Sequence, residues 1–257
     1  MKNIEILYED VDCLVINKPA GLMVHSDGRA LGPFLADWIV EKYPETSGLG
    51  EPARGLDGLP VNRSGIVHRL DRDTSGAMII AKTAVGYEGL KKQFQDREVK
   101  KKYLVFVWGE MKEEFGTIDR PIGRSGHDFR RWSAQRGMRG ELRPAETYWT
   151  RIWTGSSDHF EHKDQDIKAE KFSLIQAEPK TGRTHQIRVH FLATHHPVVS
   201  DKLYAPKRPL ALGFERVALH SWSVEFEGAD GRHIEVTAPI PQDFDQACQR
   251  LGIKLNL

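Results

Sequence analysis

The chain has 257 residues, 39% hydrophobic and 28% charged, with a formal net charge of +1. This is ordinary globular composition, long enough for a sizeable core. No apolar run approaches the ~18 residues of a membrane span, and near-neutrality means that any affinity for nucleic acid must come from a local basic patch. Cys13 and Cys248 are the only cysteines; they form no disulfide framework or C-x-x-C pair, which fits a reducing cytosol. The first residues carry no signal-peptide apolar region.

Residues 4–8 and 13–17 read as two strands around an acidic turn, Glu9-Asp10-Val11-Asp12, and Lys18-Pro19-Ala20-Gly21 breaks the second. Residues 34–43 read as a helix with Phe34, Trp38 and Ile39 on one face, stopped by Pro44. Residues 45–65 contain five Gly and two Pro and read as a loop, a surface connection in preference to a lid. Gly65-Ile66-Val67 and the uncharged run Ala77-Met78-Ile79-Ile80-Ala81 read as buried strands. Between them lies His68-Arg69-Leu70-Asp71-Arg72-Asp73-Thr74-Ser75-Gly76, which ends in turn chemistry. A carboxylate held near buried backbone is costly unless a cation or donors satisfy it, which singles out Asp71.

Thr83 is placed to cap a helix reaching residue 97, with Tyr87, Leu90 and Phe94 at helical spacing. Residues 103–108 are apolar on both faces, as in a central strand; a core aromatic would be unexceptional at Tyr103. Residues 120–143 carry seven Arg against Asp128 and Glu141, a local charge of +5. Phe129 and Trp132 are interleaved among them, and four Gly suggest flexibility. Arginine with aromatics suits phosphate contact and base stacking, and points to Arg130 and Arg131 as RNA contacts; the bland alternative is a solvated loop.

Residues 146–153 read as a strand, with Thr147, Trp149 and Arg151 alternating against Tyr148, Thr150 and Ile152. Within 155–170, Asp158, His159, His162, Asp164 and Asp166 match no common metal spacing, and a solvated hairpin tip is the better reading. After a strand at 172–177, Thr181-Gly182 turns the chain and Thr184 is placed to cap a helix over 185–193. There Ile187 and Phe191 form an apolar pair, and Arg188 lies a little round the surface. His185 and His190 lack a zinc pattern and read as hydrogen-bonding residues. Strands at 217–219, 221–226 and 234–238 and a helix at 244–251 complete the chain.

His68–Gly76 resembles the signature of the RluA-type pseudouridine synthases. Three further stretches match that family in order: Asn17-Lys18-Pro19-Ala20-Gly21, Lys101-Lys102-Tyr103 with the run to Gly109, and Pro179-Lys180-Thr181-Gly182-Arg183-Thr184-His185-Gln186-Ile187-Arg188. The resemblance implies one α+β catalytic domain over 1–257, with a mixed, largely antiparallel central sheet, flanking helices and an RNA cleft with Asp71 at its floor. Residues 45–65, 120–143 and 155–170 would be loop insertions. It implies catalytic roles for Asp71, Tyr103 and Arg188: an ionised carboxylate, an aromatic against the flipped base, and a guanidinium paired with Asp71 that favours its charged form. Arg69, His68, Thr74, Arg183, His185 and Leu219 are the expected substrate contacts. If 69–71 is a strand, Arg69 shares the face of Asp71; Asp73 reads as a turn carboxylate.

The expected activity is isomerisation of a specific uridine in ribosomal or transfer RNA by a cytoplasmic monomer. It needs no metal, redox centre or other cofactor. The small RNA-binding domain that precedes the catalytic part in many relatives is not expected, since a catalytic-type strand begins near Ile4. Two rivals remain: a non-catalytic RNA-binding or ribosome-assembly factor on the same fold, and a glycosidic hydrolase using Asp71 and Asp73. Two carboxylates so close on one turn rarely flank a single bond.

Overall fold

The computed structural model describes residues 4–25, 32–51, 53–54, 58, 60–61, 63–157 and 170–255. In chain order the elements are β1 (Glu5–Glu9), β2 (Cys13–Lys18), α1 (Leu35–Lys42), a 3-10 turn at Pro44–Thr46, β3 (Ala53–Arg54), β4 (Pro60–Val61), β5 (Ser75–Ala81), α2 (Ala84–Asp96), β6 (Lys100–Trp108), β7 (Phe115–Asp119), β8 (Ile122–Arg124), β9 (Trp132–Ser133), β10 (Arg139–Arg143), β11 (Glu146–Ser157), β12 (Glu170–Pro179), α3 (Gln186–Ala193), β13 (Leu219–Glu227), β14 (His233–Thr237) and α4 (Gln242–Arg250). This is a mixed α+β protein with a largely antiparallel sheet. Among the described residues no helix is long and apolar enough to cross a membrane. The chain forms two compact units, residues 1–101 with 221–239, and residues 102–220 with 240–257.

In the first unit the strand order is β1-β2-β5-β13-β14. Asp10 closes the β1–β2 turn, its Oδ1 accepting the amides of Asp12 and Cys13 at 2.9 and 2.8 Å. β5 is buried along its whole length, as an uncharged strand with neighbours on both sides must be. Ala77, Ile79 and Ala81 share one face and pack with Cys13, Val15, Tyr87, Leu90 and Val224 in a single core. α2 supplies Tyr87 and Leu90 to that core; Thr83 caps it by accepting the Gly86 amide, and Arg97 ends it in the left-handed region. Gly65 precedes the polar loop at φ +76°, and a Cβ there would lie 2.0 Å from the Ala81 carbonyl oxygen, so only glycine passes this point. The expected strand at 65–67 reduces to one bridge, Ile66 with Ile80, because the chain turns there instead of running along β5.

In the second unit β6, β12, β11 and β7 pair antiparallel in that order. Thr147 and Trp149 are buried while Tyr148 and Thr150 are exposed, as the alternation in sequence requires. β11 and β12 form a hairpin paired out to Ser157 and Glu170; its expected tip lies outside the described residues. The basic segment is more ordered than its glycines suggest. β10, β8 and β9 form a three-stranded sheet, and Ile122 and Ala134 pack with Val189, Ala193 and Tyr204, anchoring it in a core of its own. In α4, Phe244 is fully buried and packs on Phe106 and Phe214.

The helix cap expected from Thr184 is a correction. The N-cap of α3 is His185, in the left-handed region and without a side-chain cap. The Gln186 side chain takes over: Oε1 accepts from the Arg183 amide and the Thr181 hydroxyl at 3.0 and 2.6 Å, and Nε2 donates to the Glu146 carbonyl and Thr147 Oγ1. A long amide reaching both ways ties the turn to β11 more firmly than a threonine hydroxyl on its exposed side can.

Candidate active site

Asp71 sits on a tight turn whose backbone is held from several sides. Its carbonyl accepts the Thr74 amide at 3.2 Å, Leu70 on one side and Thr74 on the other are buried, and Asp71 itself is half-buried. Residues 69–71 are not a strand, so the same-face expectation for Arg69 does not apply; Arg69 is exposed on the irregular approach to the turn. Asp73 is a surface turn residue, its Oδ1 3.1 Å from Arg72 Nε. The Thr74 hydroxyl is buried and has no hydrogen-bond partner among the described residues.

The clamp on this turn comes from the Lys18–Gly21 break. Lys18 is fully buried. Its Nζ donates to the carbonyls of Pro19, Leu22 and Arg72 at 2.9, 2.8 and 3.0 Å. The Gly21 amide adds a second bond to the Arg72 carbonyl, at 2.8 Å. A buried ammonium is tolerated only when its protons are satisfied, so the apolar strand β2 ends in a cation that fastens the residue following Asp71. Lys18→Met is expected to cost about 2–3 kcal/mol in urea unfolding, since charge-assisted bonds are lost and carbonyls are left in the interior.

His68 also serves the loop. Its Nε2 accepts the Ile79 amide of β5 at 2.8 Å, so the ring proton is on Nδ1, and the ring stacks on Phe94 with centroids 4.6 Å apart. The residue as a whole is half-buried. Burial of the ring, with the nearby charge of Lys101, nevertheless pushes its pKa down to about 3. A folded pKa below the unfolded value of about 6.5 means that the unfolded chain takes up a proton which the native state refuses. Stability therefore falls as pH drops from about 6.5 toward 3, by ~1.4 kcal/mol per pH unit for this one group. His68→Gln, which keeps an acceptor for Ile79, is expected to flatten that slope by one proton when urea midpoints are compared at pH 7, 6 and 5.

In the second unit Tyr103 is buried on β6, in register with Ala177 of β12. Arg188 does not lie on the surface as its helix position suggests: it is 8% exposed, because α3 is enclosed on nearly every side. Its Nε and Nη2 donate to Asp201 Oδ2 and Oδ1 at 2.7 and 2.8 Å. Asp201 Oδ1 also accepts the Leu203 and Tyr204 amides at 3.0 Å. The guanidinium lies 4.9 Å from the Tyr204 ring centroid. One planar edge of Arg188 is thus fixed, and its plane is set by an aromatic face. Asp201 and Tyr204 are not singled out by the sequence, and Lys18 and Gln186 enter it only as members of motifs, without a role. The available signals were a cation closing the apolar run Leu14-Val15-Ile16, and a lone carboxylate between Val198-Val199 and Leu203-Tyr204.

His185, the N-cap of α3, and His190 within it make the hydrogen bonds expected of them. His185 Nδ1 meets the Tyr204 hydroxyl at 2.8 Å. His190 Nε2 donates to the Arg120 carbonyl at 3.0 Å, and its Nδ1 pairs with Thr147 Oγ1 at 2.9 Å; burial lowers its pKa and keeps it neutral. Arg183 is half-buried and donates from Nε to the Pro144 carbonyl at 3.2 Å. Leu219 is buried at the start of β13. Arg130 and Arg131 flank Asp128, at 2.9 and 3.3 Å. Arg130 holds the Asp128 carboxyl down at about 2. Phe129 is 72% exposed, whereas Trp132 is half-buried under the Arg124 guanidinium, which lies 4.1 Å from the indole centroid.

The family described as RNA pseudouridylate synthase matches residues 12–193. An uncharacterized RNA pseudouridine synthase of Mycobacterium bovis is 35% identical over 98% of this chain and 74% of its own length. The ribosomal large subunit pseudouridine synthase D of Nitrosomonas europaea is 32% identical over 96% of this chain and 65% of its own. Among solved structures, human RNA pseudouridylate synthase domain containing 1 superposes with a TM-score of 0.68 at 26% identity, over 93% of this chain and 84% of that one. With the motifs of the sequence running in order through elements that hold a carboxylate turn and a buried guanidinium, the chain belongs to the RluA-type RNA pseudouridine synthases, isomerases that act on uridine in RNA.

Proposed function

We propose that this protein converts a specific uridine of ribosomal RNA to pseudouridine with Asp71 as its catalytic carboxylate. The observation that carries the reading is the Asp71 turn. Lys18 and Gly21 fix its backbone, yet Asp71 as a residue is only half-buried. That combines preorganisation with access, which a reacting group needs and a structural carboxylate does not. Tyr103 is assigned to the face of the flipped base, and Arg188 to an ion pair with Asp71 that keeps it anionic. The Nε edge of Arg188 is committed to Asp201, which sets the angle of its guanidinium. Arg69, on the exposed approach to the turn, is assigned to the phosphate that moves when the uridine leaves the stack, a step costing a few kcal/mol. The preference for ribosomal RNA follows relatives named for the large ribosomal subunit; transfer RNA is the other outcome of the test.

The three-stranded β8–β10 sheet, with exposed Phe129 and the arginines around it, is assigned to the RNA backbone and an unpaired base. If about five phosphates are engaged, log affinity falls against log salt with a slope of about −3.5. Arg130→Ala with Arg131→Ala is expected to bring that slope to about −2.1. A slope unchanged in the double variant assigns RNA contact elsewhere.

The deciding experiment incubates the purified protein with total RNA from a strain lacking it and maps pseudouridine, with Asp71→Asn beside it. A new pseudouridine made by the parent protein and absent with Asp71→Asn is the expected result, and it names the target RNA. Free uracil among the products would instead identify a hydrolase.

A further inference from the structure

Tyr204 joins two parts of the second unit that the sequence keeps far apart. Its ring, 5% exposed as a residue, lies under the Arg188 guanidinium at 4.9 Å. Its amide donates to Asp201 Oδ1, the oxygen that also accepts Arg188 Nη2. Its hydroxyl accepts the backbone amide of Trp132 at 3.0 Å and shares a hydrogen bond with His185 Nδ1 at 2.8 Å. Trp132 opens β9, pairs with Arg124 of β8 and carries the Arg124 guanidinium on its indole. One side chain therefore touches the catalytic arginine with its face and the basic sheet with its tip.

We propose that Tyr204 is a positioning residue that ties the β8–β10 sheet to Arg188, so that RNA held by the basic sheet also sets the orientation of the guanidinium. The inference rests on the RNA-modifying role proposed above. The two ends of the side chain make separable contributions. The hydroxyl anchors β9, so it acts on RNA capture. The ring face orients Arg188, so it acts on turnover. A residue that merely filled the core would move both quantities together through stability, or neither.

Tyr204→Phe keeps the ring and removes the anchor. Hydrogen exchange at the Trp132 amide is expected to quicken about 5-fold, the worth of one hydrogen bond. The apparent KM for the modified RNA should rise by about the same factor, with kcat within 2-fold of the parent, roughly the limit of such assays. Tyr204→Leu also removes the ring face, and kcat is expected to fall about 10-fold further, the scale of a buried cation–aromatic contact. Unchanged Trp132 exchange and KM in Tyr204→Phe would overturn the anchor. Equal kcat in the two variants would overturn the link to Arg188. The exchange measurement needs neither RNA nor activity, so it judges the anchor even if the parent protein makes no pseudouridine, a result that would count against the proposed function instead. Should Tyr204→Leu fail to fold, Tyr204→Phe still decides: lowered kcat with unaltered Trp132 exchange contradicts the proposal.

Discussion

Asp71→Asn is expected to abolish pseudouridine formation, by at least about 10²–10⁴-fold, the range that a positioned acid–base group contributes. RNA affinity and folding stability should remain. The two side chains are nearly the same size, and the turn is closed by bonds to main-chain carbonyls: that of Asp71 with the Thr74 amide, and that of Arg72 with the Gly21 amide and Lys18 Nζ. Stability should therefore change by less than about 1 kcal/mol, as is usual away from a packed core. Asp73→Asn is the matched control. Its carboxylate faces Arg72 at the surface, with both side chains well exposed, and exposed ion pairs contribute only ~0–1 kcal/mol. Rates within a few-fold of the parent are expected there. Product from Asp71→Asn, or an equal loss in Asp73→Asn, would end the assignment of Asp71.

The second large effect is on stability. Arg188→Met should cost about 3–5 kcal/mol, because it leaves Asp201 buried without its counter-charge. Asp201 has a side-chain exposure of 1%, so water cannot replace the guanidinium. Adding Asp201→Asn should recover most of the loss: Asn keeps a carbonyl oxygen for the Leu203 and Tyr204 amides but brings no charge into the interior. Neither variant should regain product if Arg188 has the role proposed for it. Arg188→Lys is also expected to fail in turnover, because an ammonium cannot reproduce the planar two-pronged contact with Asp201 or lie flat on Tyr204. Urea unfolding measures the loss in Arg188→Met and its recovery in the double variant, and pseudouridine mapping measures turnover in all three. A loss under about 1 kcal/mol in Arg188→Met would show that the pair does not carry the weight assigned to it.

Much of the chain could be read before folding. The alternation in 146–153, the helical spacing of Tyr87, Leu90 and Phe94, the Thr83 cap and the uncharged run at 77–81 each report on which face is apolar, and periodicity carries that information locally. The four motifs named the family because their residues stand in a fixed order along the chain. Where reading by period failed, the cause lay in contacts from elsewhere. Thr184 lost its cap to Gln186, whose amide reaches β11. The glycines of 120–143 did not leave a loose loop, because Ile122 and Ala134 found a core with α3.

Composition, spacing and motif order thus determine the family, the elements and the identity of Asp71, Tyr103 and Arg188 as candidates. Only the tertiary structure decides what the buried charges do. Lys18 meets the carbonyl of Arg72 across 54 positions, and Arg188 meets Asp201 across 13 and Tyr204 across 16. A charge leaving water must find compensating groups wherever packing brings them, and packing depends on the whole chain at once.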